Sequence, residues 1–143
     1  MVWRALPRGR RAIPAPTAPF NKDNKLHYVH NYVGAQEFHV ESNEPVPEGK
    51  AKLRYEFEPT GKPDIAKGKG SVGRAQLYMN DKLVGQTELP VTVSLLLGLG
   101  GGLTVGRNPG SAVSQLCKPP FAFTGIIFKV TADVSGQMLQ DTE

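Results

Sequence analysis

Histidines and carboxylates are the residues of this chain whose types and spacing could support chemistry. His39 stands between Glu37 and Glu41 at alternate positions, and on a strand this spacing places one imidazole and two carboxylates on one face. Imidazole nitrogens and carboxylate oxygens are ligands for divalent ions. The same residues alternate with Phe38 and Val40, which is typical of a solvated strand face. We favour that simpler interpretation and predict no metal site.

His27 and His30 lie three residues apart. A helix would present both imidazoles on one face, whereas a strand places them on opposite faces. The surrounding residues alternate like a strand, so we predict that these two histidines share no metal ion.

Paired carboxylates at Glu56 and Glu58 share one face of a predicted strand, which is how a glycosidase dyad could be presented. Lys52 and Arg54 lie on the same face and favour an ion-paired outer surface instead. Serine, histidine and aspartate all occur, but no G-x-S-x-G motif accompanies them. We predict no catalytic residues and no enzymatic activity.

A glycine-rich run occupies residues 98–106, with the sequence GLGGGLTVG. It does not match the dinucleotide-binding fingerprint, because Leu103 occupies the last glycine position, and no Walker lysine follows it. Glycines here are better explained by backbone positions with positive φ or by close approach at a sheet corner. We predict no cofactor.

Two pairs of residues are the candidates for ligand binding. Arg74 and Tyr78 share an outward face of a predicted strand, while Arg107 and Asn108 lie in a loop after the glycine run. A guanidinium could orient an anionic or glycan group through bidentate hydrogen bonds. Arg107 could equally hold its own loop by bonding backbone carbonyls. The prediction for ligand binding therefore comprises Arg74, Tyr78, Arg107 and Asn108.

The elements that must position these residues are strands. The chain has 143 residues, which suits a single domain with one core. Period-two alternation recurs between turns rich in glycine and proline, and no stretch shows a helical stripe. We predict an all-β fold, a two-sheet antiparallel β-sandwich of the jelly-roll or concanavalin-like kind with almost no helix. The strands fall near residues 26–33, 36–40 and 50–58, in a hairpin turning at Asn80-Asp81, and in a core strand at 121–134.

The chain divides into an arm, a body and a tail. Residues 1–24 are predicted to be a basic, proline-rich flexible arm, residues 25–136 the β-sandwich domain, and residues 137–143 a C-terminal tail. Residues 1–20 carry four arginines and no acid, and residues 21–143 hold equal numbers of basic and acidic side chains. A neutral body lacks the electrostatic footprint of a nucleic-acid-binding domain, so we predict no nucleic-acid binding by the body.

Composition also bears on the compartment. Cys117 is the only cysteine, so an intramolecular disulfide is impossible. No apolar run is long enough for a transmembrane helix, so no membrane association is predicted. Prolines interrupt every apolar stretch of the first 20 residues, which leaves no recognisable signal peptide. We predict a cytoplasmic protein as encoded.

Three groups of motifs between residues 26 and 136 are specific enough to compare with a known family: His30-Asn31-Tyr32, Gly106-Arg107-Asn108 with Gly110-Ser111-Ala112-Val113, and Pro120-Phe121 with Phe123-Thr124-Gly125. With these motifs, residues 26–136 resemble the C-terminal domain of large bacterial arylsulfatases. The resemblance implies a β-sandwich that is appended to a catalytic domain, in agreement with the period-two pattern.

The resemblance does not extend to catalysis. Sulfatases convert the cysteine of a C-x-P-S-R motif to formylglycine, whereas Cys117 is followed by Lys118, Pro119 and Pro120. The expected function is that of a non-catalytic accessory module for protein interaction or self-association, with a second copy or a sulfatase-like chain as partner. The alternative is a carbohydrate-binding, lectin-like module. Whether the chain acts alone or belongs to a longer protein stays open.

Overall fold

The computed structural model describes residues 3–4, 17–93, 114, 116 and 125–133. Within these ranges the only helical element is a single 3-10 turn at Ile65–Lys67, and every other regular element is a strand, which confirms the all-β class. The strands are β1 (Trp3–Arg4), β2 (Thr17–Lys22), β3 (Lys25–Tyr32), β4 (Gln36–Glu41), β5 (Leu53–Pro59), β6 (Gly73–Met79), β7 (Lys82–Leu89) and β8 (Ala132–Asp133). No helix in the described ranges has the length needed to cross a bilayer.

The first sheet is an antiparallel meander in the order β2-β3-β4. The β2–β3 turn consists of Asp23 and Asn24, whose φ values of 51° and 58° suit a two-residue hairpin turn. The flexible arm was predicted to extend to residue 24, and this boundary is wrong, because Thr17–Lys22 forms β2. β2 has β3 as its one described neighbour, and an edge strand can contain Pro19 because one side of its backbone needs no donor.

The second sheet is an antiparallel meander in the order β5-β6-β7. The predicted hairpin is confirmed: Met79 pairs with Lys82, and Asn80 and Asp81 between them have φ values of 47° and 69°. Both values lie in the left-handed region, which asparagine and aspartate tolerate better than most residues. The ladder between β6 and β7 shifts its register at Leu77 and Tyr78.

One hydrophobic core contains side chains from both three-stranded sheets. The rings of Tyr28 on β3 and Tyr55 on β5 stack with their centroids 4.1 Å apart. The two sheets together have six strands and a jelly roll has eight, so the predicted sandwich and its jelly-roll class stay predictions. The other buried members of the core are Leu26, Val40, Leu53, Ala75, Leu77, Met79, Val84 and Leu89.

The two sheets come closest where β4 meets β7. The Asn43 amide donates to the Val84 carbonyl at 2.7 Å, so the backbones are bonded directly just beyond the end of β4. At Gly85 an added Cβ would lie 2.6 Å from the Glu41 carbonyl oxygen. Backbone cannot yield as a flexible side chain can, so this contact requires glycine.

We expect Gly85→Ala to lower the free energy of unfolding by about 2 kcal/mol, because the new methyl forces β4 and β7 apart. Gly49→Ala is the matched control: Gly49 has φ of +81° with open space around it, so its variant should lose only the left-handed backbone cost of about 1 kcal/mol. Urea unfolding of both variants measures the difference. Equal losses in the two variants would contradict a steric role for Gly85.

The strand predicted at residues 121–134 is wrong for its described part. Within residues 125–133, only Ala132–Asp133 is a strand, and it pairs in parallel with β1. Ile126 and Phe128 are 78% and 76% exposed instead of buried. Alternation shows which side chains would share a side of a strand. It does not predict whether the segment pairs with a neighbouring strand or whether its apolar side chains are buried in the core.

Several predictions fall outside the described residues. These concern the glycine run at 98–106, the tail at 137–143, and the residues Arg107, Asn108 and Cys117.

Candidate functional site

The face of the first sheet that lies opposite the side chain of Tyr28 brings two histidines and a glutamate together. His27 on β3 lies directly opposite Glu41 on β4, and His39 precedes Glu41 by two residues on the same face. His27 Nδ1 lies 2.9 Å from His39 Nε2 and 3.9 Å from Glu41 Oε2. One ligand atom from each residue falls within 4.8 Å of the others, an arrangement that could hold a metal ion.

His27 is the most firmly held member of this cluster. It is buried, and its ring stacks on Phe20 of β2 with the planes 7° apart. Its Nε2 lies 3.0 Å from the Lys22 carbonyl oxygen. A carbonyl only accepts, so Nε2 carries a proton, and in the neutral ring Nδ1 then has the lone pair, on the side of His39 and Glu41.

Charges around the cluster favour the ligating protonation states. Lys25 Nζ donates to Glu41 Oε1 at 2.8 Å, and this hydrogen bond lowers the pKa of the Glu41 carboxyl. Burial, followed by the charge of His27, lowers the pKa of His39. The lowered pKa values favour the ionised carboxylate of Glu41 and the neutral imidazole of His39, which are the forms that bind metals.

The sequence pattern predicted the group of His27, His39 and Glu41 only in part. It placed His39 with Glu37 and Glu41, but Glu37 accepts a hydrogen bond from the Ser114 hydroxyl instead. It also excluded a site shared by His27 and His30, and the two do lie on opposite faces of β3. The missed partner was across the hairpin: counting back from the Tyr32 and Gln36 pair next to the turn places His27 opposite Glu41.

The predicted ligand-binding residues of β6 do share an outer sheet face, but other side chains engage them. Arg74 Nε donates to Glu88 at 2.6 Å, and its Nη1 lies 3.8 Å from Glu58. The Arg54 guanidinium lies 3.9 Å from the centroid of the Tyr78 ring. The ring face that Arg54 covers is thus closed to a stacking sugar. Arg107 and Asn108 lie outside the described residues.

Arg54 and Glu56 lie on this same face of the sheet and form an ion pair. The predicted pairing is confirmed, but the prediction of a wet surface is wrong here, since their side chains are only 15% and 7% exposed. Arg54 Nε is buried and has no hydrogen-bond partner among the described residues. Glu58, two residues further along β5, is 60% exposed. The two glutamates therefore occupy different environments.

Comparison with family models, curated proteins and solved structures finds no match for this chain. Fold and geometry define it as an all-β domain, and the chemistry of its described residues is the basis for the proposals below.

Proposed function

We propose that this chain is a non-catalytic association module and that its partner is a second copy of itself. The observation that carries the proposal is the segment at residues 125–131, which belongs to no described strand and exposes two large apolar side chains.

Ile126 and Phe128 are the most exposed large hydrophobic residues of the described chain. They are two positions apart, so both side chains would point to the same side if the segment paired as a strand. Residues 125–131 belong to no strand ladder in the described part. Exposed apolar side chains on a segment without a ladder favour pairing with another chain.

A second copy suits this segment for two reasons. Antiparallel pairing of identical segments about a two-fold axis would set Ile126 and Phe128 of one chain beside the same residues of the other. Charge does not oppose this contact strongly, because residues 21–143 carry equal numbers of basic and acidic side chains. A net charge near zero reduces the repulsion between copies.

The non-catalytic part of the proposal is supported by the sequence around Cys117, where the sulfatase C-x-P-S-R motif does not occur. The resemblance of residues 26–136 to an arylsulfatase accessory domain supports a role in association. A sulfatase-like partner and a carbohydrate ligand are the competing outcomes.

Light scattering across a concentration series tests the proposal. We expect a dimer for the full chain and a monomer for the double variant Ile126→Ser with Phe128→Ser. Ile65→Ser is the matched control, because Ile65 is also exposed, at 51%, but lies in the 3-10 turn. A monomeric wild type, or equal dimerisation of all three chains, would overturn self-association. In that event, titration with neutral and sulfated oligosaccharides would test the carbohydrate alternative.

A further inference from the structure

We propose that His27, His39 and Glu41 form a binding site for a zinc-class divalent ion on the face of the β2-β3-β4 sheet that lies opposite the side chain of Tyr28. This inference is independent of self-association, which involves a different segment.

The spacing of the ligand atoms is close to what the ion requires. Zinc binds imidazole nitrogen and carboxylate oxygen at about 2.0–2.1 Å, so two ligands in a tetrahedral shell lie about 3.3 Å apart. The His27 and His39 nitrogens are 2.9 Å apart, and the nearer Glu41 oxygen is 3.9 Å from His27 Nδ1. All three ligand atoms lie within 4.8 Å of one another, so side-chain movements that change each separation by about 1.5 Å or less would give ligand geometry.

His27 already has the outer partner that a metal-ligating histidine needs. Ligating histidines commonly donate their second ring N–H to a carbonyl or carboxylate, which fixes the tautomer and the ring orientation. The Lys22 carbonyl accepts from His27 Nε2 in this way. In the ion-free cluster a hydrogen bond joins His27 Nδ1 and His39 Nε2, and His39 is its donor when both rings are neutral. A bound ion would replace that hydrogen bond, and the His39 proton would then reside on Nδ1.

The two carboxylate oxygens of Glu41 also have different partners. Lys25 binds Oε1, which leaves Oε2 facing His27. The Glu41 side chain is 49% exposed, so water can complete the coordination from the solvent side. Three protein ligands and an open position are the pattern of zinc sites that exchange a ligand.

The ligand set also selects the class of ion. Two imidazoles and one carboxylate suit Zn²⁺ and its neighbours Co²⁺, Ni²⁺ and Cu²⁺, whereas Mg²⁺ and Ca²⁺ require sites built mainly from oxygen. The ammonium groups of Lys22 and Lys25 lie near the cluster. Their positive charge repels a cation, so they disfavour an ion that binds by electrostatic attraction alone.

Calorimetric titration of the full chain with Zn²⁺ and with Mg²⁺ tests the proposal. The experiment uses a Cys117→Ser background, so that the single thiol cannot bind the metal. We expect one Zn²⁺ for each chain and no Mg²⁺ binding. His39→Ala and Glu41→Gln should each weaken Zn²⁺ binding at least about tenfold. Glu37→Gln is the matched control and should not, because Glu37 lies on the same strand face but bonds Ser114.

A second measurement tests which residues bind. On Zn²⁺ addition the imidazole nitrogen resonances of His27 and His39 should shift, and those of buried His30 should not. A dissociation constant above about 1 mM, equal affinity in all the variants, or an equal loss in Glu37→Gln would overturn the site. Circular dichroism of each variant verifies that a lost affinity is not a lost fold.

Discussion

Glu56→Gln is expected to lower the free energy of unfolding by roughly 2–3 kcal/mol. The substitution keeps the shape of the side chain but removes the charge that compensates the Arg54 guanidinium. Arg54 is largely enclosed, and its Nε already lacks a hydrogen-bond partner among the described residues. The expected loss lies below the full cost of an unpaired buried charge, because the Asp81 carboxylate remains 3.8 Å from Arg54.

Glu58→Gln provides the matched control on the same strand and the same face. Glu58 is exposed and lies 3.8 Å from the exposed Arg74, and such surface pairs contribute at most about 1 kcal/mol. Urea unfolding of both variants measures the contrast. A loss at Glu58 as large as the loss at Glu56 would contradict the enclosed ion pair.

The double variant Arg54→Met with Glu56→Leu distinguishes the contribution of the ion pair from the contribution of burying side chains at these two positions. Apolar residues that replace a buried ion pair together often leave stability unchanged or raise it. We therefore expect the double variant to be more stable than Glu56→Gln alone. A double variant less stable than the single one would mean that packing on Tyr78, rather than charge, dominates at Arg54.

His30 is expected to make the protein sensitive to acid. Its side chain is fully buried, and neither ring nitrogen has a hydrogen-bond partner among the described residues. Burial lowers the pKa of His30 from 6.5 to about 4, because the charged imidazolium would lose its hydration. Between about pH 4 and pH 6.5, the His30 imidazole is therefore neutral in the folded chain and protonated in the unfolded chain.

The direction of the pH effect follows from the two pKa values. Between about pH 6.5 and pH 4 the unfolded state binds a proton at His30 that the folded state does not, so stability falls as the pH falls. The slope approaches 1.36 kcal/mol for each pH unit, for a total of roughly 3 kcal/mol. Above about pH 6.5 and below about pH 4, His30 contributes no further change.

His30→Leu tests this expectation, because leucine keeps much of the volume without the polar atoms. We expect its free energy of unfolding to be about 1–2 kcal/mol above wild type near neutral pH, since two unpaired buried nitrogens are removed. The difference from wild type should widen on acidification to pH 4. His30→Ala, which also removes volume next to Phe38, should be less stable than His30→Leu at every pH. A constant difference between His30→Leu and wild type across this range would contradict the buried neutral histidine.

Local patterns predicted the all-β class and the central strands. Alternation at residues 50–58 indicated β5, and Asn80-Asp81 between two such runs indicated the β6–β7 hairpin. These features depend on backbone preferences of a few neighbouring residues, so sequence contains them. The two-residue turn at Asp23-Asn24 carried the same kind of signal, but the prolines before it favoured an arm over β2.

The tertiary structure alone decided where the unusual environments lie. The register of the β3–β4 hairpin placed His27 beside His39 and Glu41. Alternation within a single strand does not reveal such a pairing between strands. Burial separated Glu56 from Glu58, which the sequence treats as equivalent outward residues. The approach of β7 to the Glu41 carbonyl made Gly85 necessary.

The exposed side chains of Ile126 and Phe128 belong to the same group of features. For β3 to β7, sequence alone determined where the strands lie and which side chains share a side of each strand, because both follow from the backbone geometry of consecutive residues. Tertiary structure decided which of those sides is buried and which charges and imidazoles meet. Burial and pairing depend on residues that are distant in sequence and pack into one core. The period of a single strand therefore does not specify which side chains are buried or which partners they meet.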